Sequence, residues 1–398
     1  MPVTEAEPLP AVRGSRNDSV RRENLSAVVE LVHRSGGLSR ATLTTATGLN
    51  RSTIAALVAE LVELGIVVET TADPTNRVGR PSPRVQPGEA PVTIAVNPEV
   101  DAIELAVVGL AGRVEHRVRH EMDHPASPDE VAQIVAERIE GLRDAIGSRR
   151  MIGVGLAVPG VVRARDGLVR WAPHLDWTDA PLTSLVESAT GLPAWVGNDA
   201  SLGALAEHRF GAGRGVDDLV YLNGGASGIG GGVIVDGHPL AGAGGYAGEF
   251  GQNRPGVGDP ADRVTADGTL EDEVSRARLL DVLGLRAADE ATLTAALRSA
   301  TGRQVVDEVA RQRRILAVAL SNAINVLNPS LVVLGGFLTD LRGFDPEAFD
   351  TTVGGQVVAA AWADTRIMPA RLGADRLLIG AAELAFAPLV ADPAGSRQ

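Results

Sequence analysis

The sequence predicts a small, mainly helical N-terminal unit followed by a much larger α/β domain. Two periodicities and the break between them carry this. Apolar residues recur at helical spacing up to about residue 64. From residue 91 onward, strand-like runs (VTIAV, LAVVGL, MIGVGLAV, DLVYLN, GGVIV and SLVVLGG) alternate with helical stretches, the pattern of an α/β domain. Between the two, residues 71–90, TADPTNRVGRPSPRVQPGEA, are rich in Pro, Gly and Arg and read as a loop or wing plus linker.

Residues 1–19 are rich in Pro, Glu and Arg and are expected to form a disordered tail. A first helix runs from about Arg21 to Arg34, with Leu25, Val28, Val29 and Val32 on one face. A second starts after Ser39, whose hydroxyl is a good N-cap, and turns Leu43 and Ala46 inward. Gly48 supplies a tight turn. Asn50 caps a third helix, in which Ile54, Leu57, Val58 and Leu61 repeat the spacing; Gly65 ends it and IVVET follows as a strand. Three short helices, a glycine turn, a strand and an Arg/Pro loop over residues 20–86 describe a winged helix-turn-helix.

Helix starts of this motif enter the DNA major groove, and here that start exposes Arg51, Ser52 and Thr53 beside the capping Asn50. Arg51 can reach a guanine edge or a phosphate, and the hydroxyls can reach either. Small Ala55, Ala56 and Ala59 permit close approach. Arg77, Arg80 and Arg84, interleaved with prolines, suit phosphate or minor-groove contact, and Arg40 at the second helix start joins the set. The alternative is a three-helix module that packs against protein instead of DNA.

The chain of 398 residues implies two or three domains. It has no apolar run of roughly eighteen residues, and its first residues lack the apolar core of a secretory signal. With no cysteine there is no disulfide, thiolate nucleophile or cysteine-ligated metal. The expected location is the cytoplasm, in association with the nucleoid, with no membrane partner. All 37 basic residues are arginine, and the net charge of -13 looks wrong for a DNA binder. Within residues 11–86, however, ten arginines oppose seven acidic residues, a balance of +3. The acidity lies elsewhere, and charge beyond a Debye length of roughly 8 Å is largely screened.

Six ordered segments of the larger domain carry a family resemblance: AVPGVVRARDGLVRWAPHLDW, LPAWVGNDASLGALAEHRFGAG, SGIGGGVIVDG, GAGGYAGEFGQ, GTLEDEVS and NPSLVVLGG. Together with SRATLTTATGLNRSTIAALVAELVELGIV and VGRP they resemble the ROK family (repressors, open reading frames, sugar kinases), over about residues 20–390 and in its repressor branch. The resemblance implies an actin-like, ribonuclease H-like ATPase fold. One lobe would span residues 91–197 with a C-terminal helix at 375–390, and the other residues 198–374. It also implies a homo-oligomer, a dimer or tetramer, and hence a palindromic DNA operator.

The same resemblance assigns an effector site for a sugar or sugar derivative. Asp199 stands where the family's kinases keep their general base, here vestigial. Asn198 beside it resembles a sugar contact, and Glu249 and Glu271 match two glutamates that grip sugar hydroxyls. His174 and Gln252 stand where relatives have an asparagine and a histidine. The departures are as informative. Asn97, Glu99 and Asp101 replace the Asp, Gly and Thr of the first phosphate loop, so phosphate is repelled and ATP is not expected as a cofactor. The second glycine loop, 227–232, and LGG, 334–336, are retained and read as packing turns. Gln252 and the lack of cysteine remove the family's zinc site, and His116, His120 and His124 are not expected to converge on a metal. The reading is a ligand-responsive regulator and not an enzyme. The alternatives are an active sugar kinase with a fused DNA-binding domain, or a regulator whose cleft binds nothing.

Overall fold

The computed structural model describes residues 16–70, 83–257, 259–265 and 268–395. The chain divides into two compact units, Met1–Ala90 with Ala387–Gln398, and Pro91–Phe386. In the smaller unit, helices α1 (Arg16–Ser35), α2 (Arg40–Thr47) and α3 (Arg51–Glu63) are joined by strands β1 (Leu38–Ser39), β2 (Val67–Thr70) and β3 (Arg84–Pro87). The eight stripe residues of α1 and α3 are all buried. Each expected cap is made: the Ser39 Oγ accepts from the Thr42 N–H at 3.0 Å and the Asn50 Oδ1 from the Thr53 N–H at 2.9 Å. Gly48 ends α2 in the left-handed conformation, φ 70°.

Three expectations are corrected here. Helix α1 begins at Arg16, so the end of the expected tail is helical, with Asp18 well placed against the positive helix start. Ala46 is exposed: α2 has barely two turns, and Leu43 is its one buried residue. Residues 84–87, read as loop and linker, are the central strand of a three-stranded antiparallel sheet in the order β1-β3-β2. This strand is four residues long, bounded by prolines, and has one inward apolar residue, Val85, too few to register a period of two. Arg84 therefore lies in a ladder. Arg77 and Arg80 lie outside the described residues.

The larger unit holds two five-stranded sheets of the same topology. The first contains β4 (Pro91–Pro98), β5 (Ala102–Gly109), β6 (Arg113–Glu121), β7 (Arg150–Val158) and β8 (Ala194–Asn198) in the order β8-β7-β4-β5-β6. β4, β5 and β6 form an antiparallel meander, and β7 and β8 add in parallel. The second contains β9 (Leu219–Gly225), β10 (Gly228–Val235), β11 (His238–Pro239), β12 (Leu331–Gly336) and β13 (Arg366–Pro369) in the order β11-β10-β9-β12-β13. Again a meander is followed by parallel strands. Each sheet has its own apolar core. This is the two-lobed α/β fold expected from the motifs.

Helices α4 (Pro128–Gly141) and α5 (Leu182–Thr190) cover the first sheet, and α6 (Asp199–Phe210), α7 (Leu270–Glu273) and α8 (Arg303–Leu327) belong to the second lobe. The glycine run of β10 has a packing role: a Cβ at Gly230 or Gly232 would collide with Ala200 or Ala204 of α6. The last helix, α9 (Arg376–Ala391), serves more than the first lobe. Ala381 packs on Gly155 of β7, Gly380 on Leu202 of α6, and Glu383 pairs with Arg209 of α6 at 2.6 Å. From Ala387 its residues group with the smaller unit, a division unlike the boundary read from the sequence. Its apolar residues, from Leu378 to Val390, occupy several faces and leave no single exposed side.

Candidate functional site

Asp199 opens α6 directly after β8, so the strand-to-helix junction aims it. Asn198 is the N-cap. Its Oδ1 accepts from the Ser201 N–H at 2.8 Å, and its Nδ2 donates to the Gly160 carbonyl at 2.9 Å and to Asp199 Oδ1 at 3.2 Å. The expected sugar contact is therefore occupied in holding the junction. Asp199 Oδ1 also accepts from the Ala200 N–H at 2.8 Å. Oδ2 has no hydrogen-bond partner among the described residues. Burial raises the Asp199 pKa to about 6, against the pull of the Ala200 N–H and Arg376, with Glu249 adding to the rise.

Glu249 precedes the 3-10 turn Phe250–Gln252, and its half-buried carboxylate accepts no hydrogen bond among the described residues. Burial, then repulsion from Glu271, raises its pKa. Glu271 sits on α7 and bridges two segments. Its Oε1 accepts from Gln252 Nε2 at 2.6 Å and its Oε2 from the Ile229 N–H, beside the second glycine loop, at 3.2 Å. Gly228, at φ 126°, makes room for that carboxylate. Asp199, Glu249 and Glu271 thus form a chain of mutually repelling carboxylates, with free acceptors at Asp199 and Glu249 for hydroxyl donors. His174, exposed on the 3-10 turn Pro173–Leu175, makes no hydrogen bond to this group among the described residues.

The place of the first phosphate loop is filled by the chain's own charges. Asn97, buried at the end of β4, donates to Glu99 Oε1 at 3.0 Å. Arg119 on β6 donates to Glu99 at 3.0 Å, Asp101 at 3.1 Å, Glu121 at 2.9 Å and, more weakly, Glu104 at 3.5 Å. Burial raises the Glu99 pKa despite Arg119. The turn thus sets carboxylates where the resemblance implies a phosphate-binding loop. Where the resemblance implies a zinc-ligating imidazole stands Gln252, whose amide donates to Glu271. His120 accepts from Arg138 at 2.6 Å, and His124 pairs with Asp123 and Glu130.

In the smaller unit, Arg51 and Ser52 are exposed at the start of α3 and Thr53 is half-buried. Ser52 Oγ donates to Asn50 Oδ1 at 2.7 Å, so both side chains serve the cap. Arg51 has no partner among the described residues. Arg40 pairs with Glu69 at 2.6 Å, and Arg84 donates to the Gly37 carbonyl at 2.9 Å. A groove beside Ser52 and Thr53 is also lined by Arg21 and Asn24 of α1, which the sequence reading passed over. It also passed over Arg119 and Arg376. No spacing signal marks them, because Glu99 and Asp101 lie about twenty residues from Arg119, and Asp199 lies far from Arg376.

A model of the ROK family matches residues 93–387. The xylose repressor of Caldicellulosiruptor bescii is 28% identical over 318 residues, 75% of this chain and 79% of that one. The xylose repressor of Bacillus subtilis is 24% identical over 370 residues, 91% and 94% of the two chains. The glucokinase of Streptomyces coelicolor is 28% identical over 289 residues, 68% of this chain and 90% of that one. Among solved structures, a ROK family transcriptional regulator described as a homologue of the E. coli MLC protein superposes with a TM-score of 0.75 at 24% identity, over 94% of this chain and 98% of that one. A ROK family glucokinase from Streptomyces griseus, in complex with glucose and AMPPNP, superposes with a TM-score of 0.60 at 26% identity, over 74% of this chain and 98% of that one.

Proposed function

The chain belongs to the ROK family, and we propose that it is a DNA-binding transcriptional repressor whose kinase-like domain senses a sugar. The smaller unit acts as a winged helix-turn-helix, with α3 in the major groove and Arg51 reading a base edge or phosphate. Asp199, Glu249 and Glu271 take hydroxyls of a sugar or sugar derivative, with Gln252 orienting Glu271. The relatives named xylose repressor favour a pentose, and those named glucokinase a hexose. The protein works as a homo-oligomer on a palindromic operator, and sugar binding changes the angle between lobes and lowers DNA affinity.

The observation that carries this reading is an asymmetry between the two halves of the cleft. On the sugar side, Asp199 Oδ2 and the Glu249 carboxylate are left open as acceptors. On the phosphate side, Arg119 is spent on the carboxylates of the first loop. The chain has kept hydroxyl recognition and filled the space for phosphate, so phosphoryl transfer and bound ATP are not part of its function. A thermal-shift screen against sugars, amino sugars, sugar phosphates and ATP with magnesium tests it. A ligand at a hundred times its Kd adds about 2.7 kcal/mol of apparent stability. A shift with a sugar alone is expected. A shift with ATP, together with ADP release that Asp199→Ala abolishes, would establish a kinase instead.

A further inference from the structure

The resemblance implies a zinc on the loop after Gln252, and this chain has no cysteine to hold it. The same region is instead gathered by one guanidinium. Arg311, on α8, is 8% exposed and Glu273, the last residue of α7, is 1% exposed. Arg311 Nη1 donates to the Asp262 carbonyl at 2.8 Å and to Glu273 Oε2 at 3.0 Å. Its Nη2 donates to the Glu273 carbonyl at 2.6 Å and to Glu308 Oε1 at 2.9 Å, and its Nε to Glu308 Oε2 at 2.9 Å. Five bonds meet the five N–H donors of a guanidinium. Glu273 Oε1 in turn accepts from the Val264 N–H at 3.2 Å and from the Thr265 N–H and Oγ at 3.1 Å. Arg314, one turn further along α8, grips both oxygens of Asp262 at 2.6 and 2.7 Å.

We propose that Arg311 is a positioning residue that replaces the zinc, fixing residues 262–265 and helix α7 to α8 so that Glu271 stays aimed at the ligand. A planar fork suits this, because one rigid group reaches two carbonyls and two carboxylates that a single point charge would not orient. Glu271 lies two residues before Glu273 on a helix of one turn, so the clamp sets its place. The inference rests on the reading of Glu271 as part of the sugar site.

Hydrogen exchange on the full chain, with and without EDTA, tests the clamp. The Val264 and Thr265 amides are expected to be equally protected in both buffers. In Arg311→Met they are expected to exchange at least tenfold faster, with β9 and β10 unchanged. One unpaired buried charge can unfold the lobe, so Arg311→Met with Glu273→Met is the second variant. Apolar replacement of the two most deeply buried partners keeps such sites folded, with Glu308 half-buried and still held by Gln312 Nε2 at 2.8 Å, while the two amides still lose their acceptor. Protection that falls in EDTA, or that survives in the double variant, overturns the proposal.

Calorimetry with D-xylose and D-glucose separates this from the functional reading. Where the wild type binds one of them, the double variant is expected to bind it at least tenfold more weakly at an unchanged Tm; unchanged affinity overturns the positioning role. Where the wild type binds neither, the choice of sugar fails and the exchange result alone decides the clamp.

Discussion

Burial holds the Asp199 carboxyl at a pKa of about 6, above the ordinary value of 3.8, and this makes folding stability depend on pH at one residue. The folded state binds the proton more tightly than the unfolded chain does. The stabilisation from that proton is complete below about pH 4 and is lost as pH rises through about 6. At pH 7.5 the ionised, half-buried carboxylate is a net cost. Asp199→Asn is therefore expected to stabilise the protein by up to about 3 kcal/mol at pH 7.5 and by almost nothing at pH 4, read by urea unfolding. An equal effect at both values would mean that the group is not strained by burial. Arg51 makes the opposite case, since its side chain has no partner to lose. Arg51→Ala should leave the Tm within experimental scatter and weaken operator binding by about 10- to 100-fold, the worth of a good base contact. Arg40 already holds Glu69, an exposed pair worth about 0–1 kcal/mol, which a phosphate can displace at little expense. Unaltered operator affinity in Arg51→Ala would take that residue out of the DNA contact set.

Helix α3 depends on its cap as an element, because Asn50 Oδ1 receives both the Thr53 N–H and the Ser52 hydroxyl. Asn50→Ala should cost about 1 kcal/mol and Asn50→Asp far less, by chemical denaturation of the full chain. Equal losses in the two variants would mean that the cap is not what fixes the helix start. This cap was legible in the sequence because capping is local: the acceptor and its donors lie within three residues. The stripes of α1 and α3 were legible for the same reason, as were the six strand-like runs. Strand β3 was not, since Pro83 and Pro87 read as loop chemistry and only its pairing to β1 and β2 makes it a strand. The site divides along the same line. Asp199, Glu249 and Glu271 were named through the motifs that contain them. The Arg119 cluster and the Arg311 clamp were invisible, because they join residues 18 and 49 positions apart that nothing short of the fold brings together. Asn198 adds a role that the motif does not announce, because its side chain caps α6 and holds the Gly160 carbonyl.

At the scale of the whole molecule, a repressor released by its ligand must obey linkage. If the sugar lowers operator affinity by a given factor, the operator lowers sugar affinity by the same factor, whatever path couples the sites. Couplings of this kind are typically about 5- to 150-fold. The larger unit has a suitable form for such a response, with two sheets of one topology and the carboxylates close to their junction: Asp199 opens α6 directly after the last strand of the first sheet, and Glu249 and Glu271 lie deeper in the second lobe. A ligand that bridges them favours one lobe arrangement over another, and only that difference in affinity can shift the population. Glu249→Ala removes one side of the bridge without touching a hydrogen bond among the described residues. It should weaken sugar binding, keep operator affinity in the absence of sugar, and raise the sugar concentration needed for release. Paired titrations, sugar with and without operator and operator with and without sugar, give the two coupling factors independently. Equal factors well above one, diminished at any fixed sub-saturating sugar concentration by Glu249→Ala, are the expected result. A factor of one for a sugar that does bind would mean that the cleft takes up ligand without informing the DNA-binding unit, and the sensor reading would fall while the DNA-binding reading stood.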